Sequence, residues 1–507
     1  MNIKNIKTYI LSGILALSMS SCLDKYPEDS IRMDQAINTV DDMDKLVYGI
    51  YDSFKSSALY SGNLTILPDL QADFVYCVKG YSNAYGDIYR WKDIKATNTD
   101  IESVYGALYG VINNANFLLD NVDKVKANTN SDKELDKLEQ CEGEAYFARA
   151  LAYSELIKCF CKAYDSDEQA EKELGVVLTE HYYGNEPQKR ATLKESYDFV
   201  LRDLDKATEY LKVDEDFTGT LYDEIYFNEY ACHALRARVS LYMHRWDDAI
   251  KYASKVINSK YYVLASCTQK IGNTSYYQYQ WTAGKSTEGI WKVGFTVNSY
   301  GGALGTIFDN FNYVSYRPDY VPETWVINSF DANDLRAAAI FTTRTTGYEH
   351  GLQWPLLSKY FGDAEFLNNN ILHVHQPMVF RLSEQYLIRA EAYAMNGEYG
   401  KAGKDISTLR TARYSSYGGN TSMSDESSAM KIIEAERVKE LYMEGFRLND
   451  LKRWHKGFER KAADQPAANF VQSSLKVGKD DPLFVWPIPQ HELEAPGSEI
   501  QPNESNK

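Results

Sequence analysis

Apolar residues recur every three or four positions along two stretches of the chain, at about 100–260 and 380–455. This spacing places them on one face of a helix and is typical of amphipathic helices packed on a core. Residues such as Gly175 and Gly397 separate the periodic segments. The pattern predicts helices at 135–161, 192–211, 230–243, 247–257, 382–395, 402–413 and 425–443, with further helical sequence at about 35–60.

The predicted helices form pairs that repeat along the chain. Residues 225–259 make one helix–turn–helix unit of about 35 residues, close to the ~34 residues of a tetratricopeptide repeat. The same pattern returns at 382–413. A single pair cannot bury its apolar face alone, so we expect the units to stack. The predicted fold class is therefore mainly α, with tetratricopeptide-like helical repeats.

Two segments interrupt the helical pattern and are rich in aromatic residues. In residues 261–370, 22 of 110 residues are aromatic, against 13% in the whole chain, and little helical period remains. Residues 60–100 are similar, with tyrosines among glycine and asparagine. We predict two irregular inserts, at about 60–100 and 260–380, carried on a helical frame. Loops held by a rigid scaffold often carry binding sites, so binding is expected there.

The first 21 residues have the layout of a bacterial export signal. Lys4 and Lys7 precede an apolar run at 9–17 that is short for a membrane span. The small residues before Cys22 resemble a lipobox, in which the cysteine becomes the acylated N-terminus, although Met19 stands where that box usually has leucine. We predict a lipoprotein signal at 1–21, lipidation of Cys22 and a short acidic tether at 22–34. The alternative is a soluble export signal with an incidental cysteine.

Composition and charge narrow the class of function. The 507 residues are 44% hydrophobic with 13 Pro and 30 Gly, which excludes collagen-like, coiled-coil and fully disordered proteins. A formal charge of −16 argues against nucleic-acid binding, which needs clustered positive charge. No later segment has about 18 consecutive apolar residues, so the lipid would be the only membrane anchor. Six further cysteines form no CxxC pair, and we expect small buried residues, with a disulfide as the alternative.

One helical face carries three carboxylates that could do chemistry. Glu436, Glu440 and Glu444 lie four residues apart, and a carboxylate pair can hydrolyse glycosidic bonds. We interpret them instead as an ion-pair network with Arg437 and Arg447 that ties this helix to its neighbours.

Other catalytic and metal-binding signals are weak. His373 and His375 would share one face of a strand, but no third ligand with suitable spacing follows, so structural roles are favoured over a metal site. The chain has no GxSxG, P-loop or HExxH motif. We therefore predict no catalytic residue, no metal and no cofactor.

Short motifs along nearly the whole chain together resemble one known family. The most specific motifs lie near the C-terminus, where Glu444-Gly445-Phe446-Arg447 is followed by DLKRW at 450–454 and WPIP at 486–489. The order and spread of the motifs resemble the SusD/RagB family of outer-membrane nutrient-binding lipoproteins. The earlier motifs are CLD at 22–24, INNAN at 112–116, EAYFARA at 144–150, LGVVL at 174–178, ALRARVSLY at 234–242, RLSE at 381–384 and YLIRAEA at 386–392.

The resemblance implies a helical fold with four tetratricopeptide-like helix pairs and an irregular, loop-rich ligand-binding subdomain. It implies one SusD-like domain over residues 35–507, lipid-anchored on the outer face of the outer membrane. It further implies that a SusC-like TonB-dependent transporter is the partner, to which captured oligosaccharide is delivered. Relatives of the RagB type are associated with peptides instead.

The ligand-binding residues are predicted from chemistry, because no fixed motif defines them in the family. An aromatic ring can lie flat on the C–H face of a sugar while polar neighbours bond its hydroxyl groups. For any single ring, ordinary packing is the more common role. Tyr300 is favoured because Gly301 and Gly302 leave its ring room to stand free. The candidates are Tyr81, Asn83, Tyr85, Trp91, Trp281, Trp291, Tyr300 and Trp325.

Several functions stay open at this point. The leading one is a non-catalytic lipoprotein that captures oligosaccharide or polysaccharide for uptake. A second is peptide capture. A third is a glycoside hydrolase, although the sequence nominates no carboxylate pair for it. A fourth is an interaction scaffold, in which changing Trp91 or Trp325 to alanine would lower stability without altering ligand binding.

Overall fold

The structure is a computed structural model that describes residues 36–184, 188–213, 224–348, 351–469 and 472–507. The predicted signal at 1–21, the tether at 22–34 and the lipidation site Cys22 lie outside the described residues. The helices are α1 Val40–Ser53, α2 Asn63–Gln71, α3 Gly86–Tyr89, α4 Thr99–Leu119, α5 Val122–Asn128, α6 Asp132–Phe160, α7 Asp167–Ala170, α8 Leu193–Tyr210, α9 Glu229–Tyr242, α10 Trp246–Ile257, α11 Tyr276–Thr282, α12 Thr306–Asp309, α13 Thr324–Ser329, α14 Arg336–Ile340, α15 Ala364–Asn368, α16 Leu382–Met395, α17 Tyr399–Arg413, α18 Glu426–Glu440, α19 Arg447–Arg453 and α20 Gln490–Glu494. The strands are β1 Val75–Cys77, β2 Leu174–Val177, β3 Arg190–Thr192, β4 Lys270–Ile271, β5 Thr274–Ser275, β6 Gly289–Lys292, β7 Tyr320–Pro322, β8 Phe341–Thr345, β9 Gln353–Leu357, β10 Met378–Arg381, β11 Phe458–Arg460 and β12 Leu475–Val477.

The long helices begin where the sequence supplies a cap. Thr39 and Asp42 form a capping box at the start of α1, and Thr192 and Glu195 form one at the start of α8. Such boxes satisfy backbone N–H groups that the first turn of a helix leaves unpaired. The seven predicted helices are present as α6, α8–α10 and α16–α18, with ends shifted by a few residues at most.

Successive helices stack, as the repeat pattern predicts. α4 packs on α6, α6 on α8, α9 on α10 and α16 on α17. α10 also packs on α16, which joins the helices that precede the second insert to those that follow it. The prediction of a mainly helical fold with tetratricopeptide-like stacking is confirmed.

The first insert contains a helix that the sequence pattern does not reveal. α2 occupies Asn63–Gln71, where irregular structure is expected. Leu64 and Ile66 lie on opposite sides of α2, and every residue from Leu64 to Gln71 is buried, so no exposed face marks a helical period. Pro68 inside it adds a signal that usually breaks helices. Complete burial therefore hides this helix from a reading based on amphipathic spacing.

Short strands join the two inserts. β1 pairs antiparallel with β7, which places Tyr76 opposite Val321. Val78 forms a bridge with Ala468, so a segment near the C-terminus reaches the same place. This side of the molecule is therefore assembled from three segments that are distant in the sequence.

The described cysteines are all buried and free, which confirms their interpretation as small buried residues. The main core runs through both helical regions and the second insert, and a second cluster fills the space between α16, α17 and α18. In the part of the chain that the structure describes, no helix is long and apolar enough to cross a bilayer. The cysteines are Cys77, Cys141, Cys159, Cys161, Cys232 and Cys267.

Candidate functional site

An aromatic surface forms where the two inserts meet. Tyr81 from the first insert and Tyr316, Tyr348 and Trp354 from the second lie half-buried over one small apolar cluster. A Cβ built at Gly80 would lie 3.8 Å from the ring of Tyr348, so the two inserts are in contact. Rings from separate segments therefore lie on one face. The aromatic surface comprises Tyr81, Asn83, Phe311, Tyr313, Tyr316, Tyr348 and Trp354.

Polar groups surround the hydroxyl of Tyr81. It lies 2.8 Å from Asn83 Oδ1, contacts Gln472 Oε1 and accepts a hydrogen bond from Arg90 Nη1 at 3.0 Å. Asp87 holds Arg90 by an ion pair of 2.9 Å. Burial raises the pKa of Tyr81 to about 12, so this phenol keeps its proton at neutral pH. The fold thus brings two of the predicted ligand residues, Tyr81 and Asn83, into direct contact.

A short hairpin at 310–316 carries the most exposed ring of the aromatic surface. Phe311 and Tyr316 form a bridge at its base and stack with ring centroids 4.5 Å apart. Asn312 Oδ1 accepts hydrogen bonds of 3.1 and 2.9 Å from the backbone N–H groups two and three residues further on. Tyr313 stands at the tip with 60% of its area exposed. A stacked base and a hydrogen-bonded turn therefore hold this ring in solvent.

Contacts from a neighbouring loop fix the hairpin. His373 Nε2 accepts a hydrogen bond of 3.1 Å from the N–H of Phe311, and burial lowers the pKa of His373, which keeps the imidazole neutral. The hydroxyl of Tyr313 donates to the carbonyl of Asn370 at 3.3 Å. Tyr313 has a φ of 67°, a left-handed conformation that is costly for a bulky residue. Such strain persists where surrounding contacts enforce it, and it clusters at binding sites.

The second histidine of the HVH sequence also has a structural partner. His375 Nδ1 lies 2.6 Å from Asp363 Oδ1, and both side chains are buried. Among the described residues, no group of three His, Cys, Asp or Glu side chains is arranged to hold a metal ion. Hydrogen bonds to Phe311 and Asp363 thus hold His373 and His375 against neighbouring loops.

Two of the predicted ligand residues lie in the core, and their selection as ligand contacts is wrong. Trp281 is 2% exposed, and its ring faces the Lys359 ammonium at 4.0 Å. Trp291 is fully buried and donates its indole N–H to the carbonyl of Ile225 at 3.1 Å. Both rings pack among helices and strands of the frame, so neither can lie against a sugar. Glycine and asparagine neighbours in the sequence do not distinguish a buried tryptophan from an exposed one.

Three further candidates anchor the inserts at other places. Trp91 packs against Phe458 and Phe484 and donates its indole N–H to the carbonyl of Gln71 at 2.6 Å. Trp325 is 37% exposed, but its indole N–H is donated to a backbone carbonyl at 2.8 Å. Tyr85, with a φ of 53°, precedes α3 and is half-buried against the main core. These contacts give the three rings evident structural roles.

Tyr300 is exposed, but not for the predicted reason. It is 43% exposed and packs edge-on against Phe366 with ring centroids 5.8 Å apart. A Cβ at Gly301 would lie 2.3 Å from the carbonyl of Lys55, and one at Gly302 would also clash. The two glycines therefore permit close backbone packing, and the space they leave is filled by the protein itself.

The three glutamates of the helical face lie in a buried ion-pair network, as interpreted from the sequence. Glu440 is bonded to Arg336 at 2.9 Å and to Arg413 at 2.8 Å, and Arg381 joins it to Glu444. Although burial opposes ionisation, neighbouring cations lower the pKa of all three glutamates, that of Glu436 to about 2. They are therefore ionised at neutral pH and cannot supply the proton that glycosidic cleavage needs.

The arginines named as partners of this network are the wrong ones. Arg437 instead bonds Asp450 at 2.7 Å, and Arg447 bonds Asp73 at 2.8 Å. Adjacent helix positions do not face each other, so Arg437 points away from the carboxylate of Glu436. The true partners come from α14, β10 and α17, and sequence spacing does not show which distant segments meet.

A second exposed aromatic region lies on the helical frame. A cavity of about 440 Å³ opens between α1 and the segment before α9. Tyr48 and Tyr226 line it and are 56% and 44% exposed. Lys55, also in its wall, is paired with Asp52 at 3.1 Å. Residues 291–294 also line this cavity, so three segments converge here as well, and the cavity serves below as a comparison site.

The sequence analysis does not include the hairpin at 310–316 or Tyr348 among the predicted ligand residues. One local signal was present, because Asn310 and Asn312 alternate with aromatic residues before Pro318, as expected for a turn. That pattern predicts an exposed tip, whereas single aromatic residues beside glycine do not. No local signal marks Tyr348, whose position depends on Gly80 of the other insert.

Comparison with protein families decides the identity of this fold. A family described as the SusD family matches residues 345–503. A second family model, described as starch-binding associating with outer membrane, matches residues 22–241. Together the two matches cover well over half of the chain. The chain belongs to the SusD family. No curated protein sequence gave a match.

Solved structures share this SusD-like fold over nearly their whole length. A SusD superfamily protein from Bacteroides thetaiotaomicron is 23% identical, with a TM-score of 0.75, and the match covers 92% of this chain and 99% of that one. A SusD-like carbohydrate binding protein from Bacteroides vulgatus is 18% identical over 91% and 98% of the two chains, with a TM-score of 0.73. Surface glycan-binding protein A from Bacteroides fluxus is 20% identical over 92% and 100%, with a TM-score of 0.66. At these identities the likeness establishes the fold.

Proposed function

We propose that this protein is a non-catalytic, cell-surface lipoprotein that captures oligosaccharides at the aromatic surface. The exposed Tyr313 ring, held beside half-buried rings and polar groups from separate segments, is the observation that carries the proposal. Rings can cover the apolar faces of sugars, and Asn83 and Gln472 can bond hydroxyl groups. Membership of the SusD family and the names of the Bacteroides proteins that share the fold support a carbohydrate ligand.

The proposal extends to anchoring and delivery. Residues 1–21 would direct export, Cys22 would carry the lipid and residues 22–34 would tether one ligand-binding domain, 35–507, to the outer face of the outer membrane. A SusC-like TonB-dependent transporter would receive the bound oligosaccharide. Incorporation of labelled fatty acid that is lost in Cys22→Ala, and co-purification with a transporter of this type, would support these steps. Labelling that persists in Cys22→Ala would contradict the anchor.

Calorimetric titration of the full chain with a polysaccharide panel and a peptide digest tests the ligand class. We expect saturable heat with one glycan class and no new reducing ends. Tyr313→Ala should weaken that binding about 10-fold or more, because a ring stacked on a ligand contributes on the order of 1–3 kcal/mol. Tyr48→Ala, at a ring of similar exposure on the helical frame, is the control and should bind normally.

Two outcomes would overturn the proposal. Heat from peptides alone would assign the chain to peptide capture. Binding of glycan that Tyr313→Ala leaves intact and Tyr48→Ala abolishes would move the site to the cavity beside α1.

A further inference from the structure

Two arginines beside the aromatic surface differ from every other arginine in the described part of the chain. Arg317 and Arg344 make no ion pair and donate no side-chain hydrogen bond there, whereas the others pair with carboxylates or bond backbone oxygens. In a chain of formal charge −16, acceptors are plentiful. Two guanidinium groups that lack an ionic or hydrogen-bonding partner among the described residues therefore call for a physical explanation.

Both arginines flank Tyr316, whose ring forms part of the aromatic surface. The Arg344 guanidinium lies 5.1 Å from the centre of the Tyr316 ring. The chain passes directly from Tyr316 to Arg317, and a Cβ at Gly347 would lie 3.1 Å from Arg317 Nε. The N–H of Gly347 donates to the carbonyl of Tyr316 at 2.7 Å, which ties these two segments together. Arg344 therefore lies over the Tyr316 ring and Arg317 lies beside Gly347, in two segments that this backbone hydrogen bond joins.

Among the described residues, two carboxyl groups in this part of the fold form no ion pair with these arginines. Asp309 is 2% exposed, and its Oδ2 has no hydrogen-bond partner in the described structure. Burial raises the pKa of Asp309 to about 8 against the opposing effect of Arg344, so this carboxyl is mostly protonated at neutral pH. Asp319 is engaged elsewhere, because its Oδ1 accepts the N–H of Ser82 at 2.6 Å.

We propose that the ligand of the aromatic surface is an acidic glycan, whose anionic substituents pair with Arg317 and Arg344 while its rings lie against the tyrosines. This inference rests on the proposed function and specifies its ligand class. The planar guanidinium group suits carboxylate and sulfate oxygens, which it can bind through two parallel hydrogen bonds. Arg344 is half-buried over an aromatic face and poorly hydrated there, so an anion displaces little water from it. Arg317 is exposed, so its electrostatic attraction for the anionic substituent is screened by salt.

Matched pairs of glycans test the inference on the full chain purified in detergent. Polygalacturonate and alginate supply carboxylates, and carboxyl-reduced polygalacturonate is the neutral counterpart of polygalacturonate. Dextran sulfate and its neutral counterpart dextran test for recognition of sulfate. We expect an acidic member to bind at least 10-fold more tightly than its neutral counterpart. The arm that shows this preference identifies the anion as carboxylate or sulfate. Raising the salt from about 50 to about 500 mM should reduce the preference.

Glutamine variants show which residues carry the preference. Arg317→Gln and Arg344→Gln should each lower affinity for the acidic glycan about 10-fold, and the double variant should bind acidic and neutral members equally. Arg202→Gln, at an exposed arginine of α8 that is paired with Glu180, is the matched control and should behave as wild type. A circular dichroism spectrum and unfolding curve for each variant exclude loss of folding.

Four results would overturn the inference. Equal affinity for acidic and neutral members would do so, and so would a preference that survives in the double variant. If a neutral glycan alone binds and Tyr313→Ala abolishes that binding, the proposed function stands and the acidic ligand is wrong. Binding of no glycan at all would remove the proposed function together with the inference.

Discussion

The arginines around Glu440 and those of the aromatic surface differ in what surrounds their guanidinium groups. Arg336 and Arg413 are fully buried, and each bonds Glu440 at less than 3 Å. Arg317 and Arg344 lie closer to solvent, and they meet no carboxylate within 4 Å in the described part of the chain. Arginine side chains therefore join elements of the frame in one region. In the other region their guanidinium groups remain available to bind a ligand.

This difference separates residues needed for folding from residues available for a ligand. A buried ion pair must be complete, because a charge left alone in the interior is strongly unfavourable. An exposed charge tolerates solvent as its partner at little cost. The expected effects of substitution follow that division, and they decrease from the network to the surface.

Removing the shared carboxylate of the network should have the largest effect. Glu440→Gln leaves the guanidinium groups of Arg336, Arg381 and Arg413 buried without their common partner. We expect the free energy of unfolding in urea to fall by about 3–5 kcal/mol. The exposed Glu459→Gln should change it by less than about 0.5 kcal/mol. Equal stability of the two variants would contradict the distinction between the two regions.

The aromatic residues should divide in the same way. Trp281→Ala removes a buried ring and should cost about 3–5 kcal/mol of stability. Tyr313→Ala, at a 60% exposed ring, should cost less than about 1 kcal/mol and should weaken glycan binding. Unfolding curves and titrations of both variants check this. A large loss of stability in Tyr313→Ala would show that the hairpin tip is a packing residue.

How far the sequence predicts this molecule depends on the range of the interactions. Helical spacing is local, so α6, α8 and α16 could be predicted with their ends, whereas the fully buried α2 lacks the polar face that such spacing needs. The site depends on distant contacts. Tyr81 and Asn83 lie two residues apart and could be proposed together, but Tyr348 joins them only through the contact at Gly80.

The same reasoning explains the errors on tryptophan. Trp281 and Trp291 have polar and small neighbours in the sequence, but their burial is set by residues such as Lys359 and Phe227 that are far away in the chain. Local composition identifies an aromatic-rich segment. It does not determine which rings point into the core.

Stability measurements on the two kinds of arginine sharpen the comparison further. Arg317→Gln should change the free energy of unfolding by less than about 0.5 kcal/mol, because its guanidinium has no protein partner within the described residues. Arg344→Gln also removes the contact with the Tyr316 ring and should cost about 0.5–1 kcal/mol. A loss of several kcal/mol in either variant would place that arginine in a structural network.

The exposed His455 should make a small contribution to the free energy of unfolding, and that contribution depends on pH. Hydrogen bonds to Asp480 and Asp165 raise the pKa of His455 above its ordinary value. A raised pKa in the folded state contributes stability that is present below about pH 6.5 and is lost as the pH rises through the folded pKa. Since the side chain is 44% exposed, we expect less than about 1 kcal/mol.

The difference in unfolding free energy between wild type and His455→Gln isolates this contribution from other titrating groups. It should be positive at pH 6 and shrink towards pH 8. A difference that grows with pH would show that the imidazole is not held as a cation by its two neighbours.

The most direct test of the account is hydroxyl-radical footprinting with and without a saturating glycan. The method reports the accessibility of each tyrosine side chain. We expect Tyr313 to become several-fold less reactive when glycan is bound, while Tyr48 and Tyr226 beside the α1 cavity keep their reactivity. Protection of Tyr48 and Tyr226 with no change at Tyr313 would contradict the assignment of the aromatic surface as the binding site.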